Sequence, residues 1–140
     1  MDNLQKIEII LVEDSESDAK LALDAFKEVG VDKQVTHLKS GVEALEFLTN
    51  SGFRNGVQFG FKANLIIIDL HLNGLKSIEV LRGVKSNPDT KHIPVVILSV
   101  SENDPLKFTC MELGADSFIT KPLTAQGFVK TIEGLEHYWR

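Results

Sequence analysis

The stretch "LIIIDLHLNG", residues 65–74, runs four apolar side chains straight into a carboxylate, Asp69, and then into a turn. A short apolar run bounded by turn residues reads as a strand buried on both faces. The segments on either side repeat the form. "IEIILV" (7–12) reads as a strand, and Ala19, Ala22, Leu23, Phe26 and Val29 then fall on one helical face, with Ser15 and Asp18 spaced as a capping box and Gly30 as a stop. "QVTHL" (34–38) is a weaker strand, followed by Ser40 as N-cap, Glu43 three residues on, and an apolar stripe at Val42, Leu45 and Leu48. Residues 50–64, rich in Gly and Asn and interleaved with three Phe, read as a loop packing its own aromatics onto the body. Beyond Asp69, Ile78, Leu81 and Val84 mark a helix ending before Asn87-Pro88, and "IPVVILS" (93–99) is another buried strand. Asp104-Pro105 starts a further helix that stops at Gly114, "DSFIT" (116–120) is a fifth strand, and Thr124 caps a last helix carrying Phe128, Val129, Ile132 and Leu135.

Strands apolar on both faces, each followed by a helix, predict an α/β fold: a doubly wound five-stranded parallel sheet of order 2-1-3-4-5, flavodoxin-like. Ligands of such sheets sit beyond the carboxyl ends of the strands, beside the switch point between strands 1 and 3. Glu13 and Asp14 end strand 1, Asp69 ends strand 3, Ser99 ends strand 4 and Lys121 follows strand 5. Each acidic residue alone reads as the solvated start of a loop or helix. Together, three carboxylates at neighbouring strand ends repel one another unless a cation sits among them, and oxygen ligands of this kind suit Mg²⁺. Lysine and Mg²⁺ are the equipment for stabilising a transferring phosphoryl group, which makes Asp69 a candidate carboxylate nucleophile able to form an acyl phosphate.

Composition narrows the alternatives. A chain of 140 residues with 43% hydrophobic content fits one globular domain spanning 1–140, with no output domain. A net charge of -5 without a dense Lys/Arg cluster argues against nucleic acid as a partner. "MDNLQK" does not open a signal peptide and no apolar run approaches a membrane span, so a cytoplasmic location is expected. The single cysteine, Cys110, reads as an idle thiol, and no Cys/His spacing suggests zinc. There is no GxxxxGK phosphate loop, GxGxxG after strand 1, or GxSxG elbow.

"ILVEDSESD", "LIIIDL", "VVILSVS" and "FITKPL", in this order and spacing, resemble the receiver domain of two-component response regulators. The resemblance implies that Asp69 is the phosphoacceptor for a sensor histidine kinase. It makes Glu13, Asp14, Asp69 and the backbone carbonyl of His71 the Mg²⁺ ligands. Ser99 becomes the hydroxyl that bonds the phosphoryl oxygen, Lys121 its cation, and Phe118 the aromatic whose rotamer follows Ser99. The Lys121-Pro122 peptide is cis in similar proteins. The insertion before strand 3, Asp18, and the tail "IEGLEHYWR" are similar to single-domain regulators serving phytochromes, which suggests a phytochrome-type kinase. The expected output is a phosphorylation-dependent contact of the face formed by helix 4, strand 5 and helix 5 with a downstream protein, a phosphorelay protein or a second copy.

The chain also departs from the pattern. After Asp69 it lacks the usual proline and Asp-Gly pair, having Asn73-Gly74 and then Lys76-Ser77; a rebuilt loop with Ser77 capping the next helix is expected. Val100 stands where a small residue is usual and is expected to narrow access to Asp69. His71 and Ser101 flank the site, where their side chains would tune water access; for the His71 imidazole, metal ligation or general base chemistry stands against a loop residue offering only its backbone. Tyr138 and Trp139 read equally as core packing or as a dimer anchor. Two other readings are an unphosphorylated receiver-like scaffold and an Asp-nucleophile Mg²⁺ phosphatase similar to the haloacid dehalogenase group. Against the second, His71 stands where that group has its second Asp.

Overall fold

A computed structural model describes residues 7–49, 53–54, 57–58 and 61–139. Strand β1 (Ile9–Val12) leads into helix α1 (Glu16–Glu28), whose first turn is capped by the Ser15 hydroxyl accepting the Asp18 N–H at 3.3 Å. Strand β2 (Val35–Leu38) and helix α2 (Gly41–Thr49) follow, with Ser40 Oγ accepting the Glu43 N–H at 3.0 Å. Three two-residue strands come next: β3 (Phe53–Arg54), β4 (Val57–Gln58) and β5 (Phe61–Lys62). Then come β6 (Leu65–Asp69), α3 (Ser77–Ser86), β7 (Val95–Ser99), α4 (Lys107–Glu112), β8 (Ser117–Thr120) and α5 (Ala125–Gly134).

The main sheet is five-stranded and parallel, in the order β2-β1-β6-β7-β8. Since β3, β4 and β5 form a separate antiparallel sheet, this is the 2-1-3-4-5 order expected from the sequence. Side chains alternate across it, as the two-residue period of a strand requires. Ile10, Val12, Ile66, Ile68, Val95 and Ile97 face α2, α3 and Cys110 of α4, whereas Ile9, Leu11, Leu65, Ile67, Val96 and Leu98 face α1 and α5. On the second face Phe26 and Phe128 meet edge to face with centroids 5.0 Å apart, an arrangement worth ~0.5–1.5 kcal/mol beyond the area it buries.

Four expectations change. Residues 53–62 carry a small antiparallel sheet, not a plain loop; the aromatic packing expected there lies outside the described side chains. Val42 is 52% exposed, because α2 turns Gly41, Ala44 and Leu48 to the core. Ser77 does not cap α3: Lys76 is the N-cap residue, and the Ser77 hydroxyl is buried and donates to the Asp69 carbonyl. Asp104-Pro105 lies in a turn before α4, which begins at Lys107. The C-terminal aromatics are used within the chain, Trp139 Nε1 donating to the Asn64 carbonyl at 3.1 Å and the Tyr138 hydroxyl to Asp116. Among the described residues, no helix is long and apolar enough to cross a membrane.

Candidate functional site

The parallel register carries the ends of β1, β6 and β7 to one rim. Asp69 is the last residue of the fully buried strand β6, and its own side chain is buried. Glu13 and Asp14 follow β1 directly, and carboxylate oxygens of Glu13, Asp14 and Asp69 lie within 4.8 Å of one another. Lys121 enters from the end of β8, where its N–H donates to the Ser99 carbonyl at 2.7 Å. Its ammonium reaches Asp18 at 2.8 Å, Glu13 at 2.9 Å and Asp69 at 3.2 Å. The Lys121-Pro122 peptide is cis.

Burial works against the Lys121 charge, but hydrogen bonds to Asp18 and Glu13 and the charges of Asp69 and Glu13 outweigh it and hold its pKa above the usual lysine value. For Glu13, burial and then the hydrogen bond with Asp69 dominate, overcoming Lys121 and pushing its pKa up to about 7. A carboxyl so perturbed beside two others is a site that gains from a cation. The donors are all hard oxygens, one or two of which with waters and a phosphate suffice for Mg²⁺, so the residues fit that ion.

The loop after Asp69 closes on the site. The His71 N–H donates to Asp69 Oδ1 at 3.1 Å and the Asn73 N–H to Asp14 Oδ2 at 2.7 Å, while Gly74 turns the chain at φ 78°. A left-handed residue here suits glycine, which has no Cβ to clash. The His71 imidazole points elsewhere, its Nε2 lying 2.6 Å from Asp104 Oδ2. It is not in the carboxylate cluster.

Ser99 is fully buried at the end of β7, and its hydroxyl donates to Asp104 Oδ2 at 3.0 Å while accepting the Ser101 N–H at 3.3 Å. Burial disfavours the Asp104 charge, but hydrogen bonds from the Leu106 N–H, His71 and Ser99 overcome it and hold the carboxyl below its usual range. Phe118 is half-buried in β8 with Lys107 Nζ 5.0 Å from its ring centroid. Val100 stands in solvent at the rim, 70% exposed, and Ser101 is exposed beside it.

The structure therefore gathers Glu13, Asp14, Asp69 and Lys121, and turns Ser99 toward Asp104. Sequence reasoning missed two members of these networks. Asp18 projects from the first turn of α1, where its spacing from Ser15 signalled only a cap. Asp104 reaches Ser99 and His71 across a turn, where no period operates.

Residues 9–133 match the model of the response regulator receiver domain. The chain belongs to this family. Among curated relatives of this receiver is the response regulator Rcp1 of Synechocystis sp., 35% identical over 94% of this chain and 87% of its own. A solved Mn²⁺-bound form of Rcp1 matches with TM-score 0.68 at 33% identity, covering 94% of this chain and 92% of that one. The bacteriophytochrome response regulator AtBRR matches with TM-score 0.79 at 32% identity over 94% of each chain. The phosphorylated cyanobacterial phytochrome response regulator RcpA matches with TM-score 0.71 at 33% identity, covering 94% and 91%. The receiver is thus similar to phytochrome response regulators, as the tail and the insertion suggested.

Proposed function

We propose that this receiver accepts a phosphoryl group on Asp69 from a sensor histidine kinase, of the phytochrome type, and signals through a phosphorylation-dependent protein contact. The observation that carries the reading is Asp69 itself, held at the end of a buried strand with Lys121 at 3.2 Å and two further carboxylates beside it. An Asp69 oxygen attacks the phosphorus of the kinase's phosphohistidine; the P–N bond breaks, the imidazole leaves with the electron pair, and an acyl phosphate forms. Glu13, Asp14, Asp69 and the His71 carbonyl would hold Mg²⁺, which would supply positive charge to offset that of the phosphoryl oxygens. Lys121 stands as a cation 3.2 Å from Asp69, beside the point where the phosphoryl charge arrives. Ser99 then bonds a phosphoryl oxygen, and Phe118 follows it. The Mn²⁺ form of Rcp1 and the phosphorylated RcpA lend support to a divalent metal and to phosphorylation in such a receiver.

With Leu106, Phe108 and Met111 exposed in and beside α4, the face of α4, β8 and α5 offers apolar surface to a downstream protein, a phosphorelay protein or a second copy. Val100, exposed at the rim, would narrow access to Asp69 and slow phosphorylation by a small donor. Intact mass after incubation with acetyl phosphate tests the reading. A Mg²⁺-dependent gain of one phosphoryl group, lost in Asp69→Asn, is expected; no gain from acetyl phosphate or from a panel of histidine kinases would leave the unphosphorylated scaffold as the better account.

A further inference from the structure

Asp104 is joined to three separate pieces of the molecule by one buried carboxylate. Its Oδ2 receives the Ser99 hydroxyl at 3.0 Å and meets His71 Nε2 at 2.6 Å, while its Oδ1 accepts the Leu106 N–H at 2.9 Å. The end of β7, the loop after β6 and the turn into α4 are thereby fastened at one point. That turn continues into Lys107, whose N–H donates to the Asp104 carbonyl at 3.0 Å and whose ammonium stands over the Phe118 ring.

We propose that Asp104 is a positioning residue that latches the unphosphorylated arrangement by holding the Ser99 hydroxyl, and that phosphorylation of Asp69 must draw the hydroxyl away from it. The inference rests on the phosphoacceptor reading of Asp69. A serine hydroxyl has one proton to donate, so it cannot serve the Asp104 carboxylate and a phosphoryl oxygen together. Both acceptors are anionic, which makes the exchange a competition between two charge-assisted bonds and not the capture of a free hydroxyl. When Ser99 leaves, His71 and Leu106 still satisfy Asp104, so the exchange strands no buried charge. The turn 104–107 loses its tie to β7, and Lys107 loses its fixed place over Phe118. Release of the latch therefore carries the event at Asp69 to the face of α4 and β8.

Beryllofluoride with Mg²⁺ serves as the phosphoryl probe, titrated into the full chain and followed by calorimetry and amide resonances. Asp104→Asn keeps an oxygen for the Leu106 N–H but replaces the acceptor of Ser99 with an amino group. It should bind beryllofluoride about tenfold more tightly than the wild type, the order expected for losing one competing bond to a charged group. In a Ser99→Ala background the same substitution should make no difference, and Asp104→Glu should restore much of the wild-type affinity. In the wild type, saturating beryllofluoride should speed hydrogen exchange at the Ser101 amide, whose acceptor in the latched arrangement is the Ser99 hydroxyl oxygen; this needs no variant to fold. Unchanged or weaker binding by Asp104→Asn, an equal gain in the Ser99→Ala background, or unchanged exchange at the Ser101 amide would each overturn the latch. A wild type that binds no beryllofluoride and takes no phosphoryl group removes the phosphoacceptor reading and the latch with it, a result distinct from the others.

Discussion

Lys121 is a single ammonium among Glu13, Asp18 and Asp69, with Asp14 beside them. One cation cannot neutralise four carboxylates, and Asp14 is the member for which no bond to Lys121 is made. Asp14→Asn should therefore have opposite effects on stability and on metal binding. Its amide oxygen still accepts the Asn73 N–H, while a repelling charge is gone. Urea unfolding with a chelator present should find the variant more stable than the wild type by ~0.5–2 kcal/mol, the usual gain from relieving a functional compromise. With Mg²⁺ in excess the order should reverse, since a ligand stabilises the state that binds it and the variant has lost a ligand. A variant no more stable in chelator would mean that Lys121 already relieves the whole cluster. Glu13, Asp14, Asp69 and Lys121 were legible in the sequence because each follows directly from a strand, where the topology says to look. Asp18 and Asp104 were not, because they enter from a helix and a turn whose sequences announce only capping.

At the scale of elements, α2 and α3 pack so closely that each presents a glycine to the other's surroundings. A Cβ added at Gly41 would sit 2.6 Å from the Leu75 carbonyl oxygen, a backbone atom with nowhere to go. A Cβ added at Gly83 would meet Leu45 Cδ2 at the same 2.6 Å, but that is the end of a side chain able to change rotamer. Gly41→Ala should lower stability by ~1–3 kcal/mol, as overpacking of a tight contact does. Gly83→Ala should stay within ~1 kcal/mol of the wild type, because alanine's better helix propensity offsets the shift of Leu45. Chemical denaturation of the two variants gives the comparison, and equal losses would show that Leu45 cannot move. The close approach at Gly41 also explains the one misreading in the Val42, Leu45, Leu48 stripe: Leu48 is buried and Leu45 packs against the core, but a helix that enters on a glycine pressed to the neighbouring loop turns Val42 outward. The strands β3, β4 and β5 escaped notice for another reason, since two residues are too few to display a period of two. The three central strands of the main sheet, β1, β6 and β7, are buried along their whole length, and for them the apolar run was signal enough.

Across the whole molecule, the rim that carries crowded charge is balanced by an opposite rim that Asp116 and Asn64 tie together. Asp116 accepts the Val95 N–H at 2.8 Å, meets Lys85 Nζ at 3.4 Å and takes the Tyr138 hydroxyl, joining α3, β7 and the C-terminal turn. Asn64, just before β6, accepts Trp139 Nε1 on its carbonyl and the Glu8 N–H on its side chain at 2.9 Å. The hydrogen bond to Asp116, burial and the charge of Asp116 push the Tyr138 pKa up to about 12 from the ordinary 10.0. The folded pKa is raised, so the neutral phenol is the form the fold prefers, and its contribution to stability is fully present below about pH 10 and is lost as pH rises toward 12. The chain has one tyrosine, which makes the ultraviolet absorbance of tyrosinate a direct reading of this group. The folded protein should titrate with a midpoint near 12 and the urea-unfolded protein near 10. Tyr138→Phe should remove the part of the alkaline loss of stability that falls in that window, while leaving Mg²⁺ affinity at the far rim unchanged. A folded midpoint near 10 would mean that Tyr138 is free in solution, and the aromatic tail would then be available to a partner instead of closing the fold.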